Sequence, residues 1–200
     1  GKTLFLKFNT GPSGHGSPAA AGEALALKRA GAEGVKVFAM EGEVGLTPGA
    51  AHETMNSAYG LALDNLYYLV DWNDYGIDDH PLSVTMCGSP SEWFSCHGWR
   101  AFSAEFGSEW GPVTQAILTM IYGPNPDRVP SVAWFKTRKG RGYGKYDNPS
   151  HGAPHKTNSD EFWETKRPFM EKYGVQFANF GGSAPKEPAE LHAEFETNLK

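Results

Sequence analysis

The sequence predicts an α/β fold, a mostly parallel sheet with helices on both faces. Short β-branched and aromatic runs alternate with Ala-rich stretches in the order β-α-β-α-β, a pattern that favours parallel strands joined by crossover helices. The 24 Gly and 14 Pro gather between these segments and form no low-complexity tract. With 200 residues, 40% of them hydrophobic, the chain has material for one domain with a sizeable core.

The elements follow in order. "TLFLKFN" reads as a first strand, which runs into the loop "TGPSGHGSPAAAG" and then a helix, "AAAGEALALKRAG", stopped by glycine. "VKVFAM" is a second strand, and "TPGAAHETMNSAYGLA" a helix with Thr47 as N-cap and Pro48 at its first position. "NLYYLVDW" is a third strand, after which "NDYGIDDHPLS" is irregular. "SEWFSCHGWRAFSAEFG" holds a short helix and an aromatic strand, its aromatics reading as core. "WGPVTQAILTMIYG" has apolar positions at helical spacing, and "SVAWFKTR" is a further strand. The long loop "KGRGYGKYDNPSHGAPHKTNSD" leads to one helix over "SDEFWETKRPFMEKYG", capped by Ser159. The reading places one domain over residues 1–180 and a linker with a terminal helix over 181–200.

Charge and cysteine usage exclude several functions. The net charge of -5 and the lack of a Lys/Arg run argue against a nucleic-acid surface. Cys87 and Cys96 form no disulfide framework or zinc spacing, which fits a reducing, cytoplasmic setting. No signal-like start and no apolar run near eighteen residues is present, so neither secretion nor a membrane is expected.

A buried strand that ends on Glu41 raises the question of what compensates a carboxylate leaving solvent. Glu41 leaves the second strand and Asn73 the third, with thirty residues between Gly42 and Asn73, one βαβ unit. A right-handed crossover brings both to the same sheet edge, so a carboxylate and an amide oxygen converge. Such oxygens suit Mg²⁺ or Ca²⁺, and Mg²⁺ is commonly shared with a phosphate-bearing ligand. The loop "GPSGHG" opens a helix whose N-terminal N–H groups suit that phosphate.

These residues carry a resemblance. "TGPSGHGSPAAAGEALALKR", "AMEGE", "LDNLYYLVDWNDYGID", "HGWRAF", "VPSVAWFKTRKGRGYG" and "SHGAP" are similar, in order, to the diphosphate-binding domain of the transketolase family, over roughly Thr10 to Tyr173. The resemblance implies a thiamine diphosphate-binding fold, thiamine diphosphate with Mg²⁺ or Ca²⁺ as cofactors, and two-carbon ketol transfer between sugars or sugar phosphates. It implies Glu41, Asn73 and the Tyr75 carbonyl as metal ligands. Gly11, Ser13, Gly42, Glu43, Asn73, Ile77 and His151 would contact the cofactor, with His151 in "SHGAP" also catalytic, donating to an oxyanion or moving a proton.

The family binds the aminopyrimidine half in a different domain, for which no second α/β unit is seen. A pyrimidine-binding subunit or domain is therefore the expected partner, in a homo- or hetero-oligomer, as in split transketolases. The chain also departs from the family: Glu41 replaces Asp, Met40 replaces the first glycine of the metal motif, Leu46 falls near a second glutamate and His15 stands for glutamine. His15 reads as a surface or capping residue as readily as a ligand contact; His52, His80, His97 and His155 read as solvated or helix-surface residues, not ligands. Arg138 and Lys139 are candidates for a substrate phosphate. A non-catalytic relative with a degenerate metal site, or a 2-oxo acid dehydrogenase-type α subunit, is the alternative reading.

Overall fold

The computed structural model describes residues 6–32, 34–77, 81–144, 151, 155–156, 159–175 and 197. The chain divides into two compact units, Gly1–Lys139 and Gly140–Lys200.

In the first unit the described elements run α1 (Gly16–Arg29), β1 (Val37–Gly42), α2 (Gly49–Gly60), β2 (Leu66–Trp72), α3 (Pro90–Ser95), β3 (Arg100–Ala104), α4 (Trp110–Tyr122) and β4 (Ser131–Lys136). The four strands form one sheet in the order β1-β2-β4-β3, and every neighbouring pair is parallel. The parallel α/β expectation is met. Central β2 is buried along most of its length, as a strand covered on two faces should be.

One face packs Ala39, Leu66, Tyr68, Val70, Val132 and Trp134 against α1, α2 and α3. Tyr68, Phe94 and Trp99 sit with ring centroids 4.7–5.9 Å apart at its centre, at tilted and edge-on angles that suit aromatic quadrupoles. The aromatic residues of "WFSCHGW" are thus core, as its composition suggested. The opposite face is thinner: Tyr67, Ala133 and Met120 form its buried cluster, with α4 above them. At the β1 edge that face is open, where Phe38 is 45% and Met40 79% exposed.

Several boundaries differ from the sequence reading. Residues 6–9 of the expected first strand are exposed and make no strand; the rest of that stretch lies outside the described residues. β1 runs on through Glu41 and Gly42. Thr47 is not an N-cap: its backbone is already helical, its hydroxyl donates to the Val44 carbonyl at 2.9 Å, and Pro48 holds the extended capping conformation. α3 starts at Pro90 with a Ser89–Glu92 capping box.

In the second unit the expected single helix is two, α5 (Asp160–Glu164) and α6 (Arg167–Tyr173), and Ser159 caps the first by accepting from the Phe162 N–H at 3.2 Å. Pro168 lies in the first turn of α6, where its missing N–H costs nothing; within a continuous helix it would break the ladder. The expected linker and terminal helix over 181–200 lie outside the described residues except Thr197. Among the described residues no helix is long and apolar enough to cross a membrane.

Candidate functional site

The carboxyl ends of β1 and β2 and the start of α1 meet in the first unit. The Glu41 side chain turns toward the helix, where the Ser17 hydroxyl donates to its Oε1 at 3.3 Å. The N-terminus of α1, with its unsatisfied N–H groups and positive dipole end, therefore stands beside a carboxylate.

Two glycines make room for that carboxylate, and a third, Gly14, packs against one of them. A Cβ on Gly16 would lie 2.9 Å from Glu41 Oε1, and one on Gly45 2.6 Å from Oε2. A Cβ on Gly14 would lie 2.5 Å from the Gly45 carbonyl oxygen, and its φ of +81° belongs to the left-handed region. Gly14, Gly16, Ser17 and Gly45 escaped the sequence reading as a group, because their contacts span distant parts of the chain. By contrast, a Cβ on Gly11 or Gly42 would meet no heavy atom within 4 Å, and Gly11 and Ser13 are exposed.

The β2 exit turn is held from several directions. The Asn73 N–H donates to Glu43 Oε2 at 3.2 Å, and the Asn73 side-chain N–H donates to Asp71 Oδ2 at 3.3 Å. Its amide oxygen accepts from the Tyr75 N–H at 3.0 Å, which leaves one lone pair for another partner. Asp74, at φ 70°, accepts from the Ser83 N–H at 2.8 Å and from the Ser83 hydroxyl at 2.7 Å. Thr137 donates to Asp71, and Lys139 donates to the Gly76 carbonyl. Lys139 is thereby tied to the turn. Ile77 is 72% exposed.

Glu43 is the exception among the proposed cofactor contacts. It is 1% exposed, and its Oε1 has no hydrogen-bond partner. Burial pushes its carboxyl above the ordinary range; backbone N–H donors, including its own and those of Asn73 and Asp74, oppose this, and the nearby Asp71 charge reinforces it.

The expected donor set of Glu41 carboxylate, Asn73 amide oxygen and Tyr75 carbonyl is all oxygen, which would fit a hard divalent cation. The glycine cradle that admits the longer Glu41 side chain supports that fit. No group of three or more His, Cys, Asp or Glu that could hold a metal occurs among the described residues, so a site here depends on amide and backbone oxygens. A groove of about 780 Å³ runs alongside, lined by the Asn9–Ser13 segment, Gly16, Ala20 and β1 from Val37 to Glu41.

The histidines divide. His151 is exposed, in the second unit. His155 is not solvated as expected: it is 6% exposed, pairs with the Tyr143 carbonyl oxygen through Nε2 at 2.9 Å, and lies tilted against the Tyr143 ring with centroids 4.4 Å apart. His97 is half-buried and pairs with Asn56 at 3.0 Å, with its ring edge toward half-buried His52. Burial, aided by His52, holds the His97 imidazole below its usual pKa. His15 occupies the N-cap of α1 without a side-chain capping bond. His80 lies outside the described residues.

The family model "Transketolase, thiamine diphosphate binding domain" matches residues 2–195. Among curated proteins, a subunit of the apulose-4-phosphate transketolase of Actinobacillus succinogenes is 29% identical over 141 residues, 70% of this chain and 49% of that one. The transketolase of Halalkalibacterium halodurans is 28% identical over 190 residues, 88% of this chain and 27% of that one. Among solved structures, the Campylobacter jejuni transketolase superposes with a TM-score of 0.69 at 24% identity, covering 80% of this chain and 25% of that one. The Leishmania mexicana enzyme gives 0.69 at 20% identity, covering 95% and 28%. These superpositions establish a shared fold. The chain spans about half the length of the Actinobacillus succinogenes relative and about a quarter of the transketolases.

Proposed function

This chain belongs to the family of transketolase thiamine diphosphate-binding domains, and we propose on that premise that it supplies the diphosphate half of a ketol-transferring active site. The observation that carries the reading is the Glu41 carboxylate, cradled by Gly16 and Gly45 beside the α1 N-terminus and one strand away from the Asn73 turn. Glu41, the Asn73 side-chain oxygen and the Tyr75 carbonyl hold Mg²⁺, or Ca²⁺ in its place. Gly11, Ser13 and Gly42, around which the chain leaves open or exposed space, let the diphosphate approach main chain. Exposed Ile77 packs against the cofactor. His151 donates to an oxyanion or shuttles a proton. We assign this role to residues 1–180 and a connecting role to 181–200.

Bound thiamine diphosphate supplies a thiazolium carbon able to carry a two-carbon ketol unit from a ketose to an aldose. The chain's part is to bind, orient and shield it. The aminopyrimidine half falls to a pyrimidine-binding subunit or domain, and two features support such a partner. Parallel sheets are covered on both faces, yet the Phe38 and Met40 side of β1 is open. α4 has no charged residue along its length and exposes Trp110 and Tyr122 at 86% and 78%. The Actinobacillus succinogenes relative is by its name one part of a split enzyme.

Calorimetric titration of thiamine diphosphate into the chain, with Mg²⁺ and then with chelator, tests the reading. Binding only with metal, lost in Glu41→Ala and in Asn73→Ala, is expected. Binding that persists with chelator, or survives both substitutions, would overturn it.

A further inference from the structure

We propose that Glu43 is a positioning residue: its buried carboxylate holds the Asn73–Tyr75 turn in the shape that presents the turn's oxygens, and it makes no contact with the diphosphate. The ligand side of this inference rests on the function proposed above.

The argument begins with cost. A carboxylate shielded from water, with one oxygen unpartnered, is expensive and is tolerated where it organises its surroundings. Glu43 follows β1 directly, in the single 3₁₀ turn of Glu43–Leu46, and reaches across to the neighbouring strand's exit. There Oε2 accepts from the Asn73 backbone N–H. Asp71 takes the Asn73 side-chain N–H and so fixes which way the amide faces, with Oδ1 on the other side bonding the Tyr75 N–H. Asp74 closes the far side of the turn through Ser83. Of these anchors Glu43 is the fully buried one, and its side chain ties the β2 turn to the end of β1. Glu41 and Asn73 thereby keep a fixed relation through the residue two beyond Glu41. Since Glu43 is 1% exposed, its oxygens face the interior and not a ligand.

The test compares Glu43→Gln, which keeps a side-chain carbonyl to accept from Asn73, with Glu43→Leu, which removes it. Amide hydrogen exchange is followed over residues 66–77 without ligand, beside Mg²⁺-dependent thiamine diphosphate affinity. In Glu43→Leu, folded by circular dichroism, exchange at Asn73 is expected to quicken on the order of tenfold, as for one lost hydrogen bond. Its affinity is expected to fall about ten- to hundredfold. Glu43→Gln should stay within a few-fold of wild type in both readouts. Rescue by Gln is what a plain need for buried charge would not give, and quickened exchange at Asn73 without ligand is what direct contact with the metal or diphosphate would not give. Wild-type exchange and affinity in Glu43→Leu would overturn the proposal, as would loss of affinity in Glu43→Gln, whether or not Glu43→Leu folds. A wild-type chain that binds no thiamine diphosphate, with the exchange pattern as stated, would remove the proposed function and leave the turn-holding role standing.

Discussion

Replacing Gly45 with alanine is expected to weaken metal-dependent cofactor binding while the fold stands. The new Cβ would sit 2.6 Å from Glu41 Oε2 and 3.2 Å from the Gly14 nitrogen. Ordinary contact begins near 3.4 Å, so the carboxylate oxygen must retreat by about 0.8 Å. It can, because it is the end of a flexible side chain, and Gly45 does not need a positive φ. The stability loss should therefore stay near ~1 kcal/mol. Mg²⁺ is less forgiving, since it requires near-ideal octahedral geometry at about 2.0–2.1 Å, whereas Ca²⁺ accepts about 2.3–2.6 Å and irregular shells. Thiamine diphosphate affinity with Mg²⁺ should fall about ten- to hundredfold, the scale seen when support around a metal ligand is disturbed. With Ca²⁺ it should fall less. Calorimetry with each ion, beside a thermal melt, reads all three quantities. Unchanged affinity with Mg²⁺ in a folded variant would refute the placement of Glu41 as the ligand.

Three further substitutions test the frame that presents the site. Ser89→Ala removes the hydroxyl that accepts from the Glu92 N–H, the side-chain half of the α3 capping box, and should cost ~1 kcal/mol, a melting shift of about 2–4 °C. Phe94→Ala empties the aromatic core between Tyr68 and Trp99 and should cost about 3–5 kcal/mol in denaturant titration, enough to threaten folding at 37 °C. Asp64 is partly desolvated, which alone would raise its pKa, but hydrogen bonds from Lys28 at 2.7 Å and Arg128 at 2.8 Å outweigh this and hold it below 3.8. A depressed carboxyl contributes stability above its unfolded pKa and loses it as pH falls through the folded one. Asp64→Asn should thus cost roughly 0.5–1 kcal/mol at neutral pH, screened by salt, and the difference from wild type should close only as pH drops below 3.8.

How much of this was legible in the sequence depended on whether the signal was local. β2 and β4 read directly from "LYYLVDW" and "SVAWFK", because a strand buried on both faces is a continuous apolar run. The helices α1, α2 and α4 followed from Ala-rich or periodic stretches between glycines and prolines. "TLFLKFN" has strand composition, but residues 6–9 lack a ladder partner, and β-propensity without pairing makes no strand. "SDEFWETKRPFMEKYG" hid its break in one residue, Pro168. At the candidate site, the places of Glu41 and Asn73 at strand ends were legible. The cradle was not, since Gly14 meets Gly45 and Gly45 meets Glu41 only in three dimensions. Glu43 was expected among the cofactor contacts, and its direction, inward to the Asn73 backbone, is set by a turn that composition does not announce. His155 misled for the same reason: nothing around it in sequence places it against Tyr143.

The central claim is that this chain holds a divalent ion between Glu41 and the diphosphate of thiamine diphosphate. Phosphorus magnetic resonance of thiamine diphosphate with Mn²⁺ in place of Mg²⁺ tests it most directly, because a paramagnetic ion broadens the phosphorus signals it touches. Chain-dependent broadening of both phosphorus resonances, competed away by Mg²⁺ and abolished in Glu41→Ala, is the predicted result. Broadening no different from that of free Mn²⁺ and cofactor, or unaltered by Glu41→Ala, would contradict it.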